Sequence, residues 1–206
     1  MLDLIIISQI GIGYIVVIIV IMHKIRQDYN PISRYISEYA LGKYGQLASS
    51  SFIIYGLSIL GIYIGLSQVL HSKIGLNIGL TLIAIWGMSK VIIGFFRVDL
   101  KDQKLTIQGT VHSIASIIGV ASYAIGSIIL STSFFTLMLA KVALVLVILL
   151  FVGILGDLAV KYDCKIPNIL WILHNFTGLI ERILSGISVL WLLIMANWLS
   201  KLKLKY

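Results

Sequence analysis

The sequence predicts an all-α integral membrane protein, a six-transmembrane-helix bundle with an amphipathic interfacial helix in the first loop. Three observations carry that prediction. Six long apolar runs fill nearly all of the 206 residues. Hydrophobic residues make up 59% of the chain and charged residues only 12%, with a mean hydropathy of +1.04. The polar residues that break the runs gather toward one side of the membrane they imply. Such a composition excludes an ordinary soluble domain.

A bilayer-spanning helix needs roughly 20 mostly apolar residues. The spans fall at about 2–22, 47–70, 74–96, 109–131, 134–156 and 169–199, the last long enough for a tilt or an interfacial turn. Two loops of some length remain, at about 24–46 and 97–108. Residues 1–206 therefore form a single transmembrane domain with no stretch left for a soluble catalytic one. The first run lacks a basic leader, and no A-x-A site precedes His23 and Lys24, so it reads as a retained helix and not a signal peptide. The lone cysteine, Cys164, has no partner for an internal disulfide.

A net charge of +8 fits juxtamembrane Lys and Arg facing a lipid bilayer with anionic headgroups, and not nucleic acid. Nine of the 16 Lys and Arg residues lie in loops one, three and five, and five on the opposite side. The positive-inside rule then places loops one, three and five in the cytoplasm. The three tail lysines run against that assignment.

Both prolines, Pro31 and Pro167, lie in odd-numbered loops, where they interrupt no helix ladder. In loop one, Asn30-Pro31 resembles an N-cap and first helical position. Ile32, Tyr35, Ile36, Tyr39 and Ala40 then follow at helical spacing and Gly42 ends the run. The expectation is an amphipathic helix lying in the interface, with an Arg34–Glu38 pair worth a few tenths of a kcal/mol. Small residues mark helix contacts: Gly61-x3-Gly65, Gly75-x3-Gly79, Ala115-x3-Gly119 and Ser122-x3-Gly126. Spacing of this kind lets backbones approach closely, and it predicts a fourth span at the centre of the bundle.

A charged group near the bilayer centre costs about 2.5–3.5 kcal/mol on insertion scales, so each asks for a reason. Of Glu38, Lys90, Arg97, Asp99, His112, Asp157, His174, Glu181 and Arg182, most fall toward the side of loops one, three and five. Thr106, Gly109 and His112 step by three; His174, Gly178, Glu181 and Ser185 share a stripe of the sixth span. Convergence of Asp99, His112, His174 and Glu181 would give a catalytic or proton-relay site. His112 and His174 would be the metal ligands, holding a divalent cation that activates water or an ester. No compact zinc motif supports that set, and a single haem between the same two histidines is the other cofactor option. The bland alternative for each group is an interfacial side chain: Arg182 snorkelling to phosphate, Asp99 paired within its loop. For Lys90 the sharper alternative is a buried pairing with Asp157 or Glu181.

Four segments carry a family resemblance: SRYISEYALGKYG at 33–45, FFRVD at 95–99, TIQGTVH at 106–112 and GLIER at 178–182. With them the chain resembles the prokaryotic six-helix membrane proteins grouped as domain of unknown function 998. In that family a proline is common between the aromatic and the aspartate of the second segment, where Arg97-Val98 stands here. The resemblance implies the six-span fold, a bacterial or archaeal plasma membrane, and a shared site of Glu38, Asp99, Thr106, Gly109 and His112. It implies no activity.

The first functional reading is a protein that binds or processes a lipid or amphiphilic small molecule at a one-sided polar site. Arg97, Arg182 and Lys90 would help Glu38, Thr106 and Gly109 hold the ligand. An alternative is a structural or accessory subunit, with the small-residue faces docking a membrane-protein partner or a second copy of the chain. A small transporter is a further alternative, disfavoured by the almost wholly apolar stretch 142–155 and the shallow polar set.

Overall fold

Apolar length dictates the architecture, because a backbone without water must bond to itself. The computed structural model describes residues 2–70, 74–100, 104–131, 137–161 and 167–203. His71, Cys164, Lys73, Lys101, Lys165 and Lys205 lie outside them. The described residues form six long helices and no strand: α1 (Leu2–Ile25), α2 (Gly45–Val69), α3 (Ile74–Phe95), α4 (Ile107–Ser131), α5 (Leu137–Lys161) and α6 (Asn168–Lys203). All six are long and apolar enough to cross a membrane. The expected spans match them to within a turn or so. The main shift is in α5, which runs past Asp157 to Lys161 because polar ends continue into the headgroup zone.

Each helix packs on its neighbour in sequence, and α6 returns to α1, so the six stand as the staves of a ring. The α4–α5 and α1–α6 seams are the thin ones. The expectation of a central fourth span is corrected here. One face of α4 holds small residues against α3, whereas Ile114, Ile118 and Ile125 on the other are exposed. The middle of the ring is a cavity, not a helix.

Small residues are consumed inside the bundle. A Cβ on Gly61 would strike Ser8 of α1, and one on Gly11 would strike Ser58 of α2. Gly119 lies against Ser89, and Gly126 against Leu82 and the Gly79 carbonyl. Close approach of this kind is how helices associate without a hydrophobic drive from water. At the end away from loops one, three and five, Ile5, Ile62, Leu66, Leu130, Met195 and Leu199 are all 0% exposed and close the ring.

Loop one departs from the expected interfacial helix. Residues 31–34 form turns, and the helical part is a five-residue 3-10 helix, Ile36–Ala40, buried along its whole length. The apolar periodicity was satisfied on one side, but the bundle covers the other side too, so no face is left for lipid. Gly42 at φ +70° and Tyr44 at φ 68° then turn the chain into α2, a left-handed conformation that glycine adopts without penalty.

Candidate functional site

Loop one is a strap across the polar end of the ring, and its own side chains fix its shape. The Asn30 side chain accepts from the Ile32 N–H at 3.0 Å, an Asx-type turn. Glu38 Oε1 accepts from the Tyr35 N–H at 3.1 Å and caps the 3-10 helix. Its Oε2 accepts from the Tyr29 hydroxyl at 2.5 Å and from Arg34 Nη1 at 3.2 Å. Burial, and then the bond to Glu38, hold the Tyr29 hydroxyl protonated far above the ordinary phenol range.

Helices α5 and α6 grip the strap. The Ile36 N–H donates to Glu181 Oε2 at 2.6 Å, and the Leu179 N–H to the Ile32 carbonyl at 2.9 Å. Arg182 donates from Nη1 to the Arg34 and Gly178 carbonyls at 2.6 and 2.9 Å, and from Nη2 to the Tyr39 hydroxyl at 3.3 Å. Its Nε donates to His23 Nε2 at 2.9 Å, and His23 Nδ1 meets the Ile19 carbonyl at 2.7 Å. The Nδ1–H tautomer of His23 follows, since a guanidinium only donates. Tyr35 donates to Asp157 Oδ2 at 2.6 Å, and His174 Nδ1 bonds the other oxygen of the same carboxylate. Burial, then the Asp157 charge, push the Tyr35 hydroxyl up.

Loop three closes beside it. Asp99 accepts from the Thr106 N–H at 2.7 Å and the Thr106 hydroxyl at 2.8 Å, while Thr106 Oγ1 accepts from the Gly109 N–H at 3.0 Å. Thr106 is thus the N-cap of α4, with Asp99 behind it facing the positive end of the helix. A Cβ on Gly109 would overlap the Asp99 carboxylate, which accounts for the glycine. One turn on, His112 Nδ1 meets the Phe96 carbonyl at 2.7 Å and closes the end of α3.

Above these locks lies a cavity of about 610 Å³ lined by all six helices and both loops. Of the residues expected to share a site, Lys90, Asp99, His112, Glu181 and Arg182 line it. His174, Glu38, Arg97, Thr106 and Gly109 do not. Asp99, Thr106 and Gly109 come together as the resemblance implied, but Glu38 belongs to the strap and Arg97 is exposed. Of the two histidines expected to hold a metal or a haem, His112 lines the cavity, whereas His174 does not line it and is bonded to Asp157, which does. Among the described residues no group of three or more His, Cys, Asp or Glu side chains is placed to hold a metal ion.

The sequence reading missed His23, Tyr35 and the aromatic wall. Tyr55, Trp86 and Tyr123 line the deep, apolar part of the cavity. Their rings stack edge-on and tilted at centroid distances of 5.9 and 4.4 Å. The Tyr55 hydroxyl reaches Ser188 Oγ at 2.9 Å; the Tyr123 hydroxyl is buried with no hydrogen-bond partner among the described residues. The one available signal was their depth, since polar-tipped aromatics usually sit at the interface and not at mid-span.

The fold and the site together define a polytopic α-helical membrane protein with a cavity that is polar at one end and apolar along its length. Over residues 9–198 the chain matches the family described as "Protein of unknown function (DUF998)", and it belongs to that family. No curated protein and no solved structure matches it.

Proposed function

We propose that this protein binds an amphiphile, with the polar head among Lys90, His112 and Glu181 and the chain against Tyr55, Trp86 and Tyr123. The observation that carries the reading is the cavity itself. At about 610 Å³ it falls within the roughly 300–1,000 Å³ of ligand pockets, which are mostly apolar with a few placed polar groups. The far end is sealed by packed side chains and the near end by the strap. The thin seams offer lateral access from lipid: Ile117 and Leu158 at α4–α5, and Val16 and Val20 at α1–α6, line the cavity and are exposed. The accessory-subunit reading has less support, because the small-residue faces that would dock a partner are largely used within the bundle.

Native mass spectrometry of delipidated protein titrated with single-chain amphiphiles tests the reading. A saturable one-to-one adduct is expected. Val120→Trp, which fills the cavity, lowers its affinity by about tenfold or more, some 1.4 kcal/mol. Leu57→Trp, on an exposed face, leaves it unchanged. Equal occupancy in both variants would mean that the adduct sits on the outside of the bundle, and the reading fails.

The charge distribution supports placing loops one, three and five in the cytoplasm of a bacterial or archaeal plasma membrane. Cys164 falls between α5 and α6 in the chain. A membrane-impermeant maleimide should therefore leave it unlabelled in intact cells and label it after lysis. Labelling in intact cells reverses the orientation.

A further inference from the structure

Resting on the amphiphile reading, the geometry points to the kind of head the cavity accepts: a net-neutral, dipolar group that both accepts and donates hydrogen bonds, such as an amide. Lys90 and Glu181 line the same cavity from α3 and α6. Their charges act on each other, and Glu181 is the charge that acts on Lys90. Even so, they form no ion pair or hydrogen bond, and Lys90 has no polar partner among the described residues. Glu181 has one oxygen committed to the Ile36 N–H and the other without a partner among the described residues. Unused donors and an unused acceptor therefore face one space across a gap.

The surrounding charges leave that gap balanced. Arg182 is taken up by the Arg34 and Gly178 carbonyls, the Tyr39 hydroxyl and His23, and Glu38 by Arg34, Tyr29 and the Tyr35 N–H. Asp99 is taken up by the start of α4 and Asp157 by Tyr35 and His174. Lys90 and Glu181 sum to zero whether the pair is ionic or has shared its proton. An anionic head set beside Lys90 would bring an uncompensated charge up to Glu181, and a cationic head would do the same to Lys90; neither is tolerated well in a site shielded from water. A head with an acceptor for Lys90 and a donor for Glu181 satisfies both and adds no charge. His112 Nε2 adds an acceptor on the same wall, since its Nδ1–H is committed to Phe96.

The test is a competition, read by native mass spectrometry, among four ligands of matched chain: palmitamide, methyl palmitate, hexadecyl sulfate and hexadecylammonium. Wild-type protein should prefer palmitamide to each of the others by about tenfold. Lys90→Met should move the preference to the ammonium and Glu181→Gln, which keeps an acceptor for Ile36, to the sulfate. The double variant, with no charge at either position, should still bind the chain and lose the distinction between amide and ester. A wild-type preference for the sulfate or the ammonium overturns the inference. So does a ranking that none of the variants alters, although chain binding and the amphiphile reading would then stand. If none of the four binds, both fall together.

Discussion

Substituting Gly178→Ala should destabilise the folded protein by about 3 kcal/mol, at the upper end of what overpacking costs, because backbone and not a flexible side chain lies in the way. A Cβ at this position would overlap the Arg34 carbonyl oxygen and stand 2.8 Å from its nitrogen and 2.9 Å from its carbonyl carbon. Relief requires the strap to lift from α6. That motion breaks the bonds of Arg34 to Arg182, Ile36 to Glu181 and Ile32 to Leu179 together. Thermal unfolding in detergent should fall by roughly 6–12 °C, taking about 2–4 °C per kcal/mol for a chain of this size. Trypsin should also cut at Arg26 or Arg34 faster than in the wild type. Gly186→Ala is the control: nothing lies within 4 Å of its Cβ, and alanine is the better helix former by about 1 kcal/mol. If the two variants melt alike, the strap is not clamped at Gly178.

Replacing Glu38 with alanine should have a similar effect for a different reason. Glu38 is 1% exposed and is the acceptor for the hydroxyl of half-buried Tyr29, a backbone N–H and a guanidinium. Each buried donor left without an acceptor costs about 1–3 kcal/mol. The Arg34 contribution is small, since that side chain is 37% exposed and water can replace its partner. Loss of the Tyr29 and Tyr35 bonds therefore sets the expected total at about 3 kcal/mol. Adding Tyr29→Phe removes one of the two orphaned donors, so the double variant should melt above Glu38→Ala alone. A double variant that melts at or below the single one would show that the Tyr29 bond contributes nothing.

Loop one shows where sequence reading succeeds and where it stops. The apolar positions Ile32, Tyr35, Ile36, Tyr39 and Ala40 identified a segment that buries one side, and Gly42 follows its end as expected; Asn30, expected as a helix N-cap, instead shapes a turn, and Tyr35 is the N-cap. Periodicity cannot say what covers the opposite side. Here α5 and α6 supply it, through partners more than a hundred residues away: Tyr35 to Asp157 and Ile36 to Glu181. His112 and His174 illustrate the same limit. Their shared depth could be inferred from span boundaries, but whether two rings converge depends on the rotation of α4 and α6 about their own axes. Packing decides that rotation: it sets His112 in the cavity wall and His174 behind Asp157, which lines the cavity in its place.

The family, the six helices and the gathering of ionisable groups at one end can all be read along the chain. Each follows from a local quantity: apolar run length, short motifs, and depth along a span. That the bundle is a ring around a cavity, and that loop one is a buried strap, emerges from the packing alone. Packing also separates Lys90 and Glu181, which line that cavity, from Glu38 and Thr106, which lock loops. Those outcomes depend on which faces meet across the bundle. In lipid, that choice rests on close packing and on pairing each buried polar group, and neither is written in any single segment.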